Sequence, residues 1–185
     1  MLKSILRYFL PLALLTSSFS LLIYVSVQQV YRQSANDPQI QQAEDVARLI
    51  LAGRSATMVA SSDNPVEISL SLAPFVAVFD DQGRLLSSTG KLHSEEIRIP
   101  SGTFDYARTH LEHRFTWQPE PGVRQAVVLV RYEQGERRGF VLAGRSLRES
   151  EQRTHELGVN IFIAWVVTIL GSIFVSLFCV WLGRR

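Results

Sequence analysis

Tyr106, Arg108, Trp117 and Arg124 are the side chains of this chain best suited to capturing a small anion. A guanidinium offers a planar, two-pronged donor to a carboxylate, and a neighbouring aromatic ring can carry an apolar body. The four therefore form the candidate ligand-binding set, with a carboxylate or an amino acid as the class of small molecule expected. The competing assignment makes both aromatics core and both arginines surface. It has weight, because the segment from Arg32 to Arg153 carries its positive charge almost entirely as arginine.

A second cluster, His110-Leu111-Glu112-His113, places two imidazoles and a carboxylate close together. Ligands three residues apart share a helical face, which is a geometry a metal can use. Here a helix-to-strand junction is expected, which breaks that face, and His93 and His155 are remote in sequence. A solvated corner is the expected outcome, with no metal and no cofactor. Asp80 and Asp81 lie beside Gly83, where turn chemistry accounts for paired carboxylates without acid–base catalysis. No nucleophile elbow, phosphate loop or zinc-protease motif is present, so an enzyme is not expected. Cys179 is the single cysteine, which excludes an internal disulfide and a cysteine metal site.

The elements that must position these residues begin at the two ends. Tyr8 to Val27 and Val159 to Leu182 are uncharged apolar stretches, each long enough to cross a bilayer as a helix of about 20 residues. All 17 acidic residues lie between Asp37 and Glu156, with 15 of the 19 bases between Arg32 and Arg153, so the middle carries a net −2. Lys3, Arg7, Arg184 and Arg185 flank the outer ends of the spans, and short basic flanks stay cytoplasmic. A cleaved signal peptide is the alternative for the first span. Its length and the lack of a small-x-small step before Gln28-Gln29-Val30-Tyr31-Arg32 favour an uncleaved anchor.

The division that follows is a cytoplasmic N-terminus at 1–7, a transmembrane helix at 8–27, an extracytoplasmic domain at 28–158, a second transmembrane helix at 159–182, and a cytoplasmic C-terminus at 183–185. Ala164, Thr168, Ser172 and Ser176 recur every four residues in the second span. Small residues at that spacing let helices approach closely, so this stripe is the expected transmembrane packing face. A net-acidic domain facing away from the cytoplasm is not expected to bind nucleic acid.

Within the domain, Asn36-Asp37-Pro38 reads as a helix start, followed by Ile40, Ala43, Ala47, Ile50 and Leu51 at helical spacing. Phe75 to Phe79 and Arg84 to Ser88 read as a hairpin around Asp80-Asp81-Gln82-Gly83. Thr103 to Leu111 reads as a short helix with Phe104, Ala107 and Leu111 on one face. His113 to Gln118, Val123 to Tyr132 and Gly139 to Arg145 read as three strands, and Leu147 to Leu157 as a charged helix entering the second span. The expected fold is α+β, an antiparallel sheet of about five strands with helices on one face.

The segment Val76-Ala77-Val78-Phe79-Asp80-Asp81-Gln82-Gly83-Arg84-Leu85-Leu86-Ser87-Ser88 resembles the strand-turn-strand of extracytoplasmic PAS-like or Cache sensor domains. Gly139 to Leu147, followed by a charged helix, resembles the exit from such a domain into a second membrane helix. The pattern is similar to the input half of two-span bacterial sensor histidine kinases and chemoreceptors, over about residues 35–182. Those receptors continue into a cytoplasmic output domain after the second span, where this sequence reads Gly183-Arg184-Arg185, so a module without an output domain of its own is the expectation. The resemblance implies a sensing module in the bacterial inner membrane with a periplasmic domain. Such a module would bind a small ligand or an envelope partner, and signal as a homodimer or laterally to a membrane partner such as a sensor kinase. The alternatives are a structural or assembly factor of the envelope, or the input fragment of a longer kinase.

Overall fold

The computed structural model describes residues 2–34 and 37–183. In chain order the elements are α1 (Leu2–Ser34), α2 (Asp37–Leu51), α3 (Ala56–Val59), β1 (Val66–Glu67), β2 (Phe75–Asp80), β3 (Leu85–Ser88), β4 (Gly90–Lys91), α4 (Ser101–His110), β5 (Glu112–Glu120), β6 (Val123–Gln134), β7 (Arg137–Ser146) and α5 (Arg148–Leu182). They divide into two compact units, Met1–Arg32 with Glu151–Arg185, and Gln33–Ser150.

The first unit is a pair of helices, both long and apolar enough to cross a bilayer. Helix α1 has 33 residues and α5 has 35; at about 1.5 Å per residue each is near 50 Å long, more than a hydrocarbon core of about 30 Å requires. The indole Nε1–H of Trp165 donates to the Ser17 hydroxyl at 3.0 Å. Seven residues away on each helix, a Cβ placed on Gly158 would meet the Tyr24 ring at 3.4 Å. The two contacts run in opposite chain directions, so the helices are antiparallel. Their covered positions, Gly158, Ile161, Trp165, Ile169, Ser172 and Ser176 in α5, repeat every three or four residues, the spacing of a two-helix seam. The same spacing marks Ile5, Phe9, Leu12, Thr16 and Ser20 in α1.

The second unit is built on an antiparallel sheet of order β3-β2-β7-β6-β5. Strands β2 and β7 pair from Phe75↔Gly144 to Asp80↔Gly139, and β6 pairs along the whole of β7. Their inner positions are buried on both faces, which is why they read as unbroken apolar runs. Gly139 is required within β7, since a Cβ there would lie 2.3 Å from the Phe79 carbonyl oxygen. The β2–β3 turn is tied by Asp80, whose Oδ1 accepts the amides of Gln82 and Arg84 at 2.9 and 2.8 Å. Burial alone would raise the Asp80 carboxyl, but these bonds and the Arg84 guanidinium hold it below its ordinary value.

Helices cover both faces of the sheet, not one as the strand-and-helix order had implied. On one face Ala43, Val46, Ala47 and Ile50 of α2 pack against Val76, Val78, Tyr132, Val141 and Ala143. On the other, Phe104 and Ala107 of α4 meet Phe79 and Phe140, with Ile68 and Ile97 from the flanking loops completing the layer. Phe104 lies edge-on to both Phe79 and Phe140 at 5.2 Å. The loops are joined by a short parallel pair, β1 with β4, an arrangement that two residues per strand gave no periodicity to foresee. The hairpin, the short helix and the three later strands occur where expected, with β5, β6 and β7 longer than their apolar cores. The charged helix and the second span form one continuous α5. The helix start proposed at Asn36 lies outside the described residues.

Leu111 departs from expectation. It adopts a left-handed conformation at φ 65° as the C-cap of α4, its amide donating to the Ala107 carbonyl at 2.9 Å. That turn takes its side chain off the buried face of the helix and leaves it 66 % exposed.

Candidate functional site

The four residues expected to hold an anion occupy different settings. Trp117 is buried in the α4-side core, its ring 6.5 Å from that of Phe75. Arg108 fastens α4 to the β2–β3 turn, donating from Nη2 to the Asp81 carbonyl at 2.7 Å and pairing with Asp105. Its guanidinium carbon also lies 5.5 Å from the centre of the Phe140 ring. Arg124 is exposed near the start of β6. Trp117 pairs with Gln125, and strand side chains alternate, so Arg124 is directed to the face opposite Trp117.

Tyr106 belongs to a different group. Its ring is stacked on His110 at 4.0 Å and packs against His113 at 4.3 Å, and His113 in turn lies 4.6 Å from Phe115. The two histidines of the sequence cluster thus both pack against a tyrosine ring. Among the described residues, no group of three or more His, Cys, Asp or Glu is placed to hold a metal ion.

Two features that sequence reasoning did not single out are more coherent. One is a clasp on the loops covering the α4 face. Glu67 accepts bonds from the Ser69 hydroxyl at 2.8 Å and from the His93 amide at 3.1 Å. Burial acts to raise its carboxyl, and these donors together hold it below the ordinary value. The His93 ring bonds to both Glu120 carboxylate oxygens at 3.0 and 2.9 Å. The Glu120 bond and charge raise the imidazole above its ordinary 6.5. Gln125, a buried polar residue, donates to the Ile68 carbonyl at 3.0 Å. Arg148, the first residue of α5, reaches the same loop, with Nη2 donating to the Ser69 carbonyl at 2.8 Å and Nη1 to Leu70 at 3.4 Å.

The other feature is a cleft of about 590 Å³ between α2 and the far end of β6. Glu44, Arg48 and Leu51 form one wall, Leu111 the other, and Val130 to Glu133 the floor. Its size is within the range of about 300–1,000 Å³ typical of ligand sites. Arg131 pairs with Glu133 at 2.7 Å and donates to the Arg108 carbonyl at 3.1 Å, securing the last turn of α4. Its Nε is buried without a hydrogen-bond partner among the described residues. Leu111, assigned to a buried helix face on spacing alone, was the only sequence cue to this cleft, and it pointed the wrong way.

In the helix pair, the small-residue stripe divides. Ser172 and Ser176 are buried, whereas Ala164 and Thr168 are exposed. A four-residue repeat drifts around a helix of 3.6 residues per turn, so one stripe cannot remain on one face. The hydroxyls of Thr168, Ser172 and Ser176 each donate to the carbonyl four residues earlier, at 3.0, 2.8 and 2.7 Å. That satisfies them without another helix.

No known family matches this chain, and neither a curated protein nor a solved structure is similar to it.

Proposed function

We propose that the chain is a membrane-anchored sensing module, whose PAS-like or Cache domain binds a small ligand or an envelope partner on the extracytoplasmic side. Both termini would lie in the cytoplasm of a bacterial cell, and the signal would pass to a partner membrane protein such as a histidine kinase. The observation that carries this reading is the Arg148 clasp. The first residue of a membrane helix is bonded to the loop that roofs one face of the sheet. A ligand that moves that loop would thereby act on α5 without crossing the domain. The opposite face supports the reading too, because α2 follows α1 in the chain and packs on β6 and β7. Exposed Ala164 and Thr168 are the part of the stripe left for a lateral partner.

The test is thermal unfolding of the full chain in lipid nanodiscs against a panel of carboxylates, amino acids and other small metabolites. A specific ligand at about 100 times its dissociation constant should stabilise the native state by about 2.7 kcal/mol. Arg148→Ala should leave that stabilisation intact while removing any ligand-dependent change in cross-linking of α5 to its partner. If no panel member shifts the transition, the small-ligand form of the reading is wrong.

A further inference from the structure

We propose that the cleft between α2 and β6 is the docking site for an extended peptide segment of a partner protein, seated beside β6 in the lane that β5 leaves empty. This rests on the sensing reading and gives it a site and a kind of partner. Strand β5 pairs with β6 only as far as Glu112↔Val130, whereas β6 continues to Gln134 with β7 on its other side. The Arg131 amide donates to the Leu111 carbonyl at 2.8 Å, the last bond on this edge. The reciprocal bond is absent, because the Leu111 amide is committed to Ala107 inside α4.

An antiparallel ladder directs alternate residues to alternate neighbours. The carbonyl of Arg131 and the amide and carbonyl of Glu133 therefore face the empty lane. A row of backbone donors and acceptors at strand spacing is matched by another extended backbone, and this is how sheets capture peptides. The left-handed turn at Leu111 keeps the lane open, and its exposed side chain gives an incoming apolar residue a surface, opposite Leu51 and above Val130. Acid and base stand on both sides of that apolar step, Glu44 and Arg48 on α2 and Glu133 and Arg131 on β6. Each wall pairs its own charges, Arg48 with Glu44 and Arg131 with Glu133, so an occupant with an apolar residue between polar ones meets a polar, self-neutralised rim on each side.

The experiment is display selection of random ten-residue peptides on the full chain in nanodiscs, with empty nanodiscs as the counter-selection. The leading peptide is then measured by fluorescence anisotropy. The expected result is enrichment of alternating apolar and polar sequences. Two controls are expected to lower affinity at least tenfold. One is Leu111→Gly, which relaxes the positive φ and should keep or raise the melting temperature. The other is N-methylation of alternate peptide amides, which removes backbone donors and leaves the side chains in place. Equal binding to Leu111→Gly, equal binding of the methylated peptide, or no enrichment over empty discs would each overturn the proposal. Rapid disulfide formation between Glu133→Cys copies would assign the edge to a second copy of this chain and overturn it as well. Should the peptides fail while a small metabolite still stabilises the protein, this docking site falls and the sensing reading stands.

Discussion

The sheet domain and the helix pair keep their structure by opposite means. In the domain, Phe79, Phe140, Leu129 and Leu142 are almost wholly removed from solvent, and specificity comes from how apolar shapes interlock. In the helix pair, most large apolar side chains point outward, including Leu14, Phe19, Phe162 and Phe174. The covered seam there contains small and polar residues, among them Gly158, Ser172, Ser176, Ser17 and the Trp165 indole. Burial of carbon provides the driving force in water. In lipid it provides almost none between helices, so close fit and a few hydrogen bonds select the partner.

The largest break in this comparison should come from the domain core. Phe140→Ala removes a ring packed on Phe104 and is expected to cost about 3–5 kcal/mol. Guanidinium unfolding of the full chain in micelles, followed by Trp117 fluorescence, measures it, and a loss under 1 kcal/mol would show that the α4 face is not the organising core. In the helix pair the matching change is far smaller. Trp165→Phe deletes the bond to Ser17, for which about 0.6 kcal/mol is the usual value of such contacts in membranes. The midpoint of a detergent titration should move while the guanidinium midpoint of the domain stays put; movement of both would contradict independent stabilisation.

The smallest effect concerns the surface clasp. The His93 imidazole is raised by Glu120, so its contribution is fully present below its ordinary 6.5 and is lost as pH rises through the raised folded value. Amide exchange at Ile97, corrected for the intrinsic pH dependence, should therefore accelerate across that window, by no more than about threefold for so exposed a pair. His93→Gln should abolish the pH dependence. Persistence of the same profile in that variant would show that the His93–Glu120 pair is not its source.

Much of the element order was legible in the sequence, for identifiable reasons. Phe75 to Phe79 and Gly139 to Arg145 are apolar runs bounded by turn residues, and Asp80 with Gly83 dictates the hairpin. The covering of both faces was not legible, because α2 and α4 each show one apolar stripe and neither stripe says which side of a sheet it will meet. Leu111 was misplaced because helical spacing cannot register a change to positive φ one residue after the helix ends. The candidate anion set failed to converge for a related reason: residue type identified Arg108 as able to hold a carboxylate, but its donors serve Asp105 and the Asp81 carbonyl. The α2–β6 cleft depends on β6 outrunning β5, a difference of strand length that composition does not carry.

The central position of β7 has a consequence for how the protein is made. As the nascent polypeptide lengthens, β2 with β3 and β5 with β6 are available as two separate ribbons, each with an inner edge that awaits β7. Only the stretch from Arg137 to Ser146 can join them, and it is the last part of the domain to be synthesised, immediately before α5. Closure of the globule and arrival of the second hydrophobic helix are thereby bound to the same moment of biogenesis. Until then the ribbons are sticky, and chaperone dependence should be greatest for ribosome-stalled chains that stop short of Arg137.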